Sequence, residues 1–252
     1  MHLFSKTALG TAAVAALTLG STASTAQAQV TVDLTASSNY TVSDYILGTT
    51  PPFDDAGDSI ATTQGQLFVG VRQGPDGPSN RQVQRAGVFF DLSSIPDGQV
   101  ITSATLNLQV NAFAGSGTFF PDVSLFHSVT TNDDSAGAAL YEDASFSDTG
   151  EDPLAAGGGT SGVIMIDVTG EVGADYATDD ASAFRLQMDT AGWFNPSTIG
   201  TTRYLLDSIG DGGPGGAGTN PTLTVTYEPI PEPATLGLLS VAGLGLLRRR
   251  RA

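Results

Sequence analysis

Residues 85–110 read RAGVFFDLSSIPDGQVITSATLNLQV. Two alternating runs flank a turn. Val88, Phe90 and Leu92 share one face of the first run. Leu106, Leu108 and Val110 share one face of the second. A period of two with β-branched and aromatic enrichment is the pattern of a half-buried strand. Between them, Pro96 presets a turn dihedral and Gly98 can supply a positive φ. Asp91, at the strand end, is placed to bond loop amides.

The same signal recurs outward from this stretch. Alternating runs occupy 30–35, 66–72, 123–129, 163–168, 184–188, 203–207 and 222–227. Nine or so short strands with turn residues between them predict an all-β fold, a jelly-roll-like antiparallel β-sandwich. Val168, Val172 and Tyr176 fall four residues apart, which predicts one short helix near 169–177 with Thr169 as its cap. Three stretches read as loops: 51–65, 131–162 and the glycine-rich 210–221. Residues 228–233, EPIPEP, read as a stiff extended stalk.

Composition narrows the chemistry. Residues 29–230 carry 25 of the chain's 26 acidic residues and five arginines, a formal charge of −20. Such a body repels nucleic acid and anionic lipid. The chain has no cysteine, which excludes thiolate catalysis, iron–sulfur clusters and cysteine zinc sites. The body's single histidine, His127, excludes a multi-histidine metal site within one chain.

The two ends read as addresses. A polar start with Lys6, an apolar run from Ala8 to about Gly20, and Ala26-Gln27-Ala28 make a secretory signal at 1–28, cut after Ala28 to leave Gln29 first. An uncleaved anchor is the alternative, but the apolar run is short of the ~20 residues a span needs. At the other end, Pro231-Glu232-Pro233 precedes an apolar span at 234–247 and the cluster Arg248, Arg249, Arg250 and Arg251. Fourteen residues make a short transmembrane helix of about 21 Å, thin against a ~30 Å hydrocarbon core. The arginines hold the C-terminus on the cytoplasmic side. The prolines keep Glu232 in extended backbone at the membrane face.

These three elements in order resemble a PEP-CTERM sorting signal, the substrate of exosortase enzymes in Gram-negative bacteria. The resemblance implies recognition of the tripeptide, cleavage near it, and release of the body to the cell surface, often beside exopolysaccharide. Its partners are then signal peptidase, exosortase and, transiently, the inner membrane. An ordinary tail anchor that stays uncut is the alternative.

A second resemblance covers 85–227 and is clearest at 85–110. Phe90-Asp91-Leu92, Ser94-Ile95-Pro96, Gly98 and Ser103-Ala104-x-Leu106 are similar to the signature of DNRLRE-type domains. Ile166-Asp167-Val168-Thr169, Phe184-x-Leu186 and Pro221-x-Leu223-x-Val225-x-Tyr227 follow in the same order. The resemblance implies a secreted jelly-roll domain of the carbohydrate-binding kind. The family's tryptophan-bearing middle section is not visible between 123 and 162. The domains are thus 1–28, a sandwich at 29–227 and a sorting segment at 228–252.

Candidate sites in the body are few. His127 shares a strand face with Val123, Leu125 and Val129, as a core or edge residue would. No G-x-S-x-G serine elbow occurs. Asp54, Asp55 and Asp58, with Asp133-Asp134 and Asp179-Asp180, offer oxygen ligands to calcium but lack EF-hand spacing, and a solvated loop is the alternative for each. No other cofactor is expected. Trp193, Phe194, Tyr204, Phe119 and Phe120 make either a sugar-stacking surface or core filling, with Trp193 the residue best placed for sugar contact. The expectation is a non-enzymatic surface or matrix protein. A polysaccharide-binding module is the alternative, and a secreted hydrolase has no motif in its favour.

Overall fold

The computed structural model describes residues 28–47, 59–61, 66–73, 80–115, 122–128, 146–154, 161–188, 201–207 and 219–228. Twelve strands and one helix lie among them. In chain order they are β1 (Val30–Thr35), β2 (Ser38–Leu47), β3 (Ser59–Ala61), β4 (Leu67–Gln73), β5 (Asn80–Asp91), β6 (Val100–Gly115), β7 (Val123–Ser128), β8 (Ser147–Asp148), β9 (Gly162–Asp167), α1 (Thr169–Tyr176), β10 (Ala181–Met188), β11 (Thr202–Leu206) and β12 (Thr222–Glu228).

Every strand pair is antiparallel, and the order runs β1-β12-β6-β11-β4-β5-β10-β7-β8. Two long strands organise it. β6 takes β12 along its first half and β11 along its second on one edge, with β9 on the other. β5 takes β4 and then β10 on one edge, and β2 along the other. Strands that pass from one layer to the next let an antiparallel fold turn its corners. The architecture is all-β and consistent with a sandwich.

Alternation sorts the side chains. Leu34, Leu223, Leu106 and Ile166 lie opposite one another across β1, β12, β6 and β9, and all are buried. The neighbouring positions face outward. One outer rank is Thr35, Thr222, Asn107 and Met165; the next is Asp33, Thr224, Thr105 and Asp167. Deeper in the core, Phe90 meets Phe184 edge to face at 6.4 Å.

The turn at 91–98 forms as its residues dictate, but the strands it joins do not pair with each other: β5 bonds β2, β4 and β10, and β6 bonds β9, β11 and β12. Asp91 Oδ1 accepts from the Ser93 amide at 2.8 Å, and the Ile95 amide donates to Leu92 O at 2.9 Å. Gly98 has φ +73°. Gly87 serves a different need: it lies opposite Tyr40, whose buried ring covers it.

Three expectations change. The loop at 51–65 contains β3, paired with β2. The loop at 131–162 contains β8 and a bridge from Leu154 to Val123, with Phe146 and Leu154 buried. Thr169 does not cap α1. The cap position is Val168, with no side-chain bond. Thr169 Oγ1 instead accepts from the Ala104 amide at 2.9 Å and donates to Asp167 Oδ1 at 2.6 Å. Asp167 Oδ1 also takes the Thr169 amide, the first of the helix, at 3.0 Å.

Candidate functional site

The helix predicted near 169–177 forms as α1 and carries Asp175 inward, three residues after the buried Val172. β7 and β10 pair with His127 opposite Phe184, and Ser182 lies two residues along β10 on the same face. Three polar side chains from three elements therefore meet in the interior. His127 Nε2 lies 2.8 Å from Asp175 Oδ2, and Ser182 Oγ donates to the same oxygen at 2.5 Å. Asp175 is 0% exposed and His127 8%. The imidazole rests against the Phe184 ring, centroids 5.4 Å apart. Asp175 Oδ1 has no hydrogen-bond partner among the described residues.

This arrangement differs from a nucleophilic triad. There the hydroxyl bonds the imidazole, and the carboxylate bonds the far ring nitrogen. Here hydroxyl and imidazole converge on one carboxylate oxygen. The geometry ties α1 to β7 and β10, and it holds His127 as a core residue beside Val123 and Leu125. Val129 lies outside the described residues. Sequence reasoning missed Asp175 and Ser182. Asp175 is one acid among 26, and only its helical phase, next to Tyr176 on the inward stripe, distinguishes it.

Two exposed carboxylates close turns. A side-chain and a backbone hydrogen bond from Ser93 hold Asp91 below the usual carboxylate range. The same pair of bonds from Thr169 does so for Asp167. Tyr176 Oη accepts the Gln99 amide at 3.1 Å and donates to Pro96 O, which pins the connection between β5 and β6 to the helix. A pocket of about 420 Å³ lies beside it, walled by Val100, Ile101 and Gly173.

The remaining candidates separate. Asp54, Asp55, Asp58, Asp133 and Asp134 lie outside the described residues. Asp179 spends its carboxylate on the Asp180 amide at 2.7 Å. Among the described residues no group of three or more metal-ligating side chains occurs. Tyr204 is not available to a sugar. It is 1% exposed and packs on Phe113 at 5.0 Å. Burial, with Asp122 nearby, pushes its phenol above the ordinary tyrosine range. Trp193, Phe194, Phe119 and Phe120 lie outside the described residues.

The two ends of the body meet. β1 pairs with β12 along its whole length, and Gln29 Nε2 donates to Glu228 Oε1 at 3.1 Å. Ala28 and Gln29 are exposed. Ala26, Pro231, Glu232, Pro233, the span at 234–247 and Arg248–Arg251 lie outside the described residues. Among the described residues no helix is long and apolar enough to cross a membrane.

A family model for the PEP-CTERM protein-sorting motif matches residues 229–251. No curated protein matches the chain. The motif begins at the residue after the last one of β12 and supports a secreted, exosortase-sorted surface protein.

Proposed function

We propose that the body is a non-enzymatic surface module with a structural or adhesive role beside exopolysaccharide. The observation that carries this reading is the sorting motif at 229–251, joined directly to β12. In this scheme signal peptidase cuts after Ala28. The span at 234–247 anchors the body transiently, with Arg248–Arg251 as the cytoplasmic stop. Exosortase then engages Pro231-Glu232-Pro233 and releases the body.

Two features support the non-enzymatic part. The body's one histidine is committed to Asp175 inside the core. Ser182, the hydroxyl nearest that pair, is bound to the same carboxylate oxygen. The turn geometry of 91–98 supports a DNRLRE-like body, since Asp91 and Gly98 play the parts their positions suggest.

Intact-mass spectrometry of protein taken from its host tests the scheme. The expected species lacks residues 1–28 and the arginine-ended terminus. A species that keeps Arg248–Arg251 refutes delivery by exosortase. A broad hydrolase screen tests the second part, and turnover that depends on the body would refute it.

A further inference from the structure

We propose that the pocket beside Tyr176 is a seat for Ile230, the residue immediately before the sorting tripeptide. The proposal rests on the sorting reading for its purpose and on the sheet register for its geometry. Glu228, the last residue of β12, pairs with Val100, which lines the pocket. Cross-strand partners share a face of the sheet, and so do residues two apart along a strand. Carrying the direction of β12 two residues further therefore puts Ile230 on the side of Val100, level with Gly98 and just past Gln99. Two extended residues span at most about 7 Å, so Ile230 cannot travel far from this pocket.

The walls suit an isoleucine. The pocket holds about 420 Å³, and no charged side chain lines it. Val100 is 52% exposed, an apolar surface that a second apolar side chain would take out of water. Gly173 supplies the depth. Glycine is a poor helix former, and α1 has no backbone need of one here, since its φ is not positive. A Cβ at position 173 would meet nothing within 4 Å. The missing side chain leaves room where most helices would fill it.

Gln99 supplies a polar anchor. Its Nε2 donates to Asp97 O at 3.3 Å, which sets the orientation of the side-chain amide. Its Oε1 is then buried with no hydrogen-bond partner among the described residues. A buried acceptor calls for a donor. Pro229, Pro231 and Pro233 have no N–H. The first backbone donor beyond Glu228 is therefore the amide of Ile230, the residue that the register carries past Gln99. Seating Ile230 gives the sorting tripeptide a fixed starting point on the body, because Pro231 follows directly.

Amide hydrogen exchange tests this, read by NMR on the full-length chain in detergent micelles with isotope-labelled isoleucine and glutamate. Ile230 and Glu232 carry the only amide protons of residues 229–233, so each serves as the other's reference. The expected result is exchange at Ile230 about tenfold or more slower than at Glu232 after correction for neighbouring residues, the protection that one hydrogen bond and one covered side chain provide. Gln99→Leu removes the acceptor and Gly173→Leu fills the seat, and each should abolish the difference. The Gln99 backbone amide still reaches Tyr176 in the first variant, and leucine favours the helix in the second. Should Gly173→Leu fail to fold, Gln99→Leu decides alone. Equal exchange at the two amides overturns the proposal. So does slow exchange that Gln99→Leu leaves unchanged, which would place the shielding in the micelle. Slow exchange that disappears on dilution also overturns it, by placing a second copy in the pocket. Sorting is read separately, from the mass of host-derived protein. A missing tail with equal exchange retires the seat and keeps the sorting reading, and a retained tail with slow exchange does the reverse.

Discussion

Replacing Gly87 with alanine pits local preference against packing. Gly87 does not have a positive φ, so an alanine suits its backbone. On unfolded-state entropy alone, Gly87→Ala should stabilise by about 0.4–1 kcal/mol. Packing predicts the opposite. A Cβ at position 87 would lie 2.2 Å from Tyr40 Cε1 and 2.3 Å from Cζ. Ordinary carbon contacts are about 3.5–4.0 Å, so ring or strand must shift by more than 1 Å. The ring has no exit. It is 0% exposed, and Phe89 packs on it at a centroid distance of 5.4 Å. Overpacking of this kind costs about 1–3 kcal/mol, and this site belongs at the upper end. For a body of this size that lowers the melting temperature by roughly 2–4 °C per kcal/mol. Urea denaturation should show a lower midpoint at unchanged slope. In a Tyr40→Leu background the added methyl has room, so the two changes should fall well short of additive. A Gly87→Ala variant as stable as the parent, or strict additivity with Tyr40→Leu, would refute the reasoning.

Asp175→Ala strands both His127 Nε2 and Ser182 Oγ in the interior. Leaving a buried polar group without its partner costs about 1–3 kcal/mol, read as a lower urea midpoint, and Asp175→Asn should cost less because one acceptor oxygen survives. Acid should unfold the body in part through Asp91 and Asp167. Their carboxyls are held low in the fold, so the stability they contribute is present above the unfolded value near 3.9 and is lost as pH falls through the folded values. Both are exposed, so the effect is small and salt-sensitive. Asp91→Asn and Asp167→Asn should flatten the melting-temperature profile between about pH 5 and pH 2. Glu232→Ala should leave the thermal melt unchanged and cause retention of the tail, read by intact mass in the host.

How far the residues foretold the molecule depended on whether neighbours in sequence decided the outcome. The strands at 30–35, 104–110 and 222–227 were legible because leucine and valine alternate there with threonine, aspartate and asparagine. β2 was not. Its buried positions include Asn39, Thr41 and Ser43, which carry no apolar period. They are affordable inside because partners elsewhere meet their needs, as when Thr41 Oγ1 takes the Phe68 amide at 3.0 Å. β8 is two residues long and exists only because His127 and Phe126 lie alongside it. The cap of α1 was misplaced by one residue, from Val168 to Thr169, because Thr169 found another use, bridging to β6. Within the polar cluster His127 could be singled out by its rarity. Its partners could not, since their meeting is made by the packing of α1 on β10 and not by any spacing along the chain.

The pairing of β1 with β12 joins fold to delivery. Gln29 and Glu228 are 199 residues apart and share a hydrogen bond. β1 lies at the sheet edge with β12 as its neighbour, so this pairing needs both ends of the body. Once β1 docks, both ends leave the sheet at one place. Only residues 229–233 then separate Glu228 from the proposed span at 234. Five extended residues reach at most about 18 Å, so an anchored body is held close to the membrane by its β1-β12 end. Glu228 is paired with Val100 through the sheet. Three of the five residues beyond it are prolines, which resist folding back. In the proposed scheme the enzyme would meet residues 229–233, in which Glu232 is the one charged side chain. Among the described residues the last strand ends at Glu228, and the matched motif begins at 229.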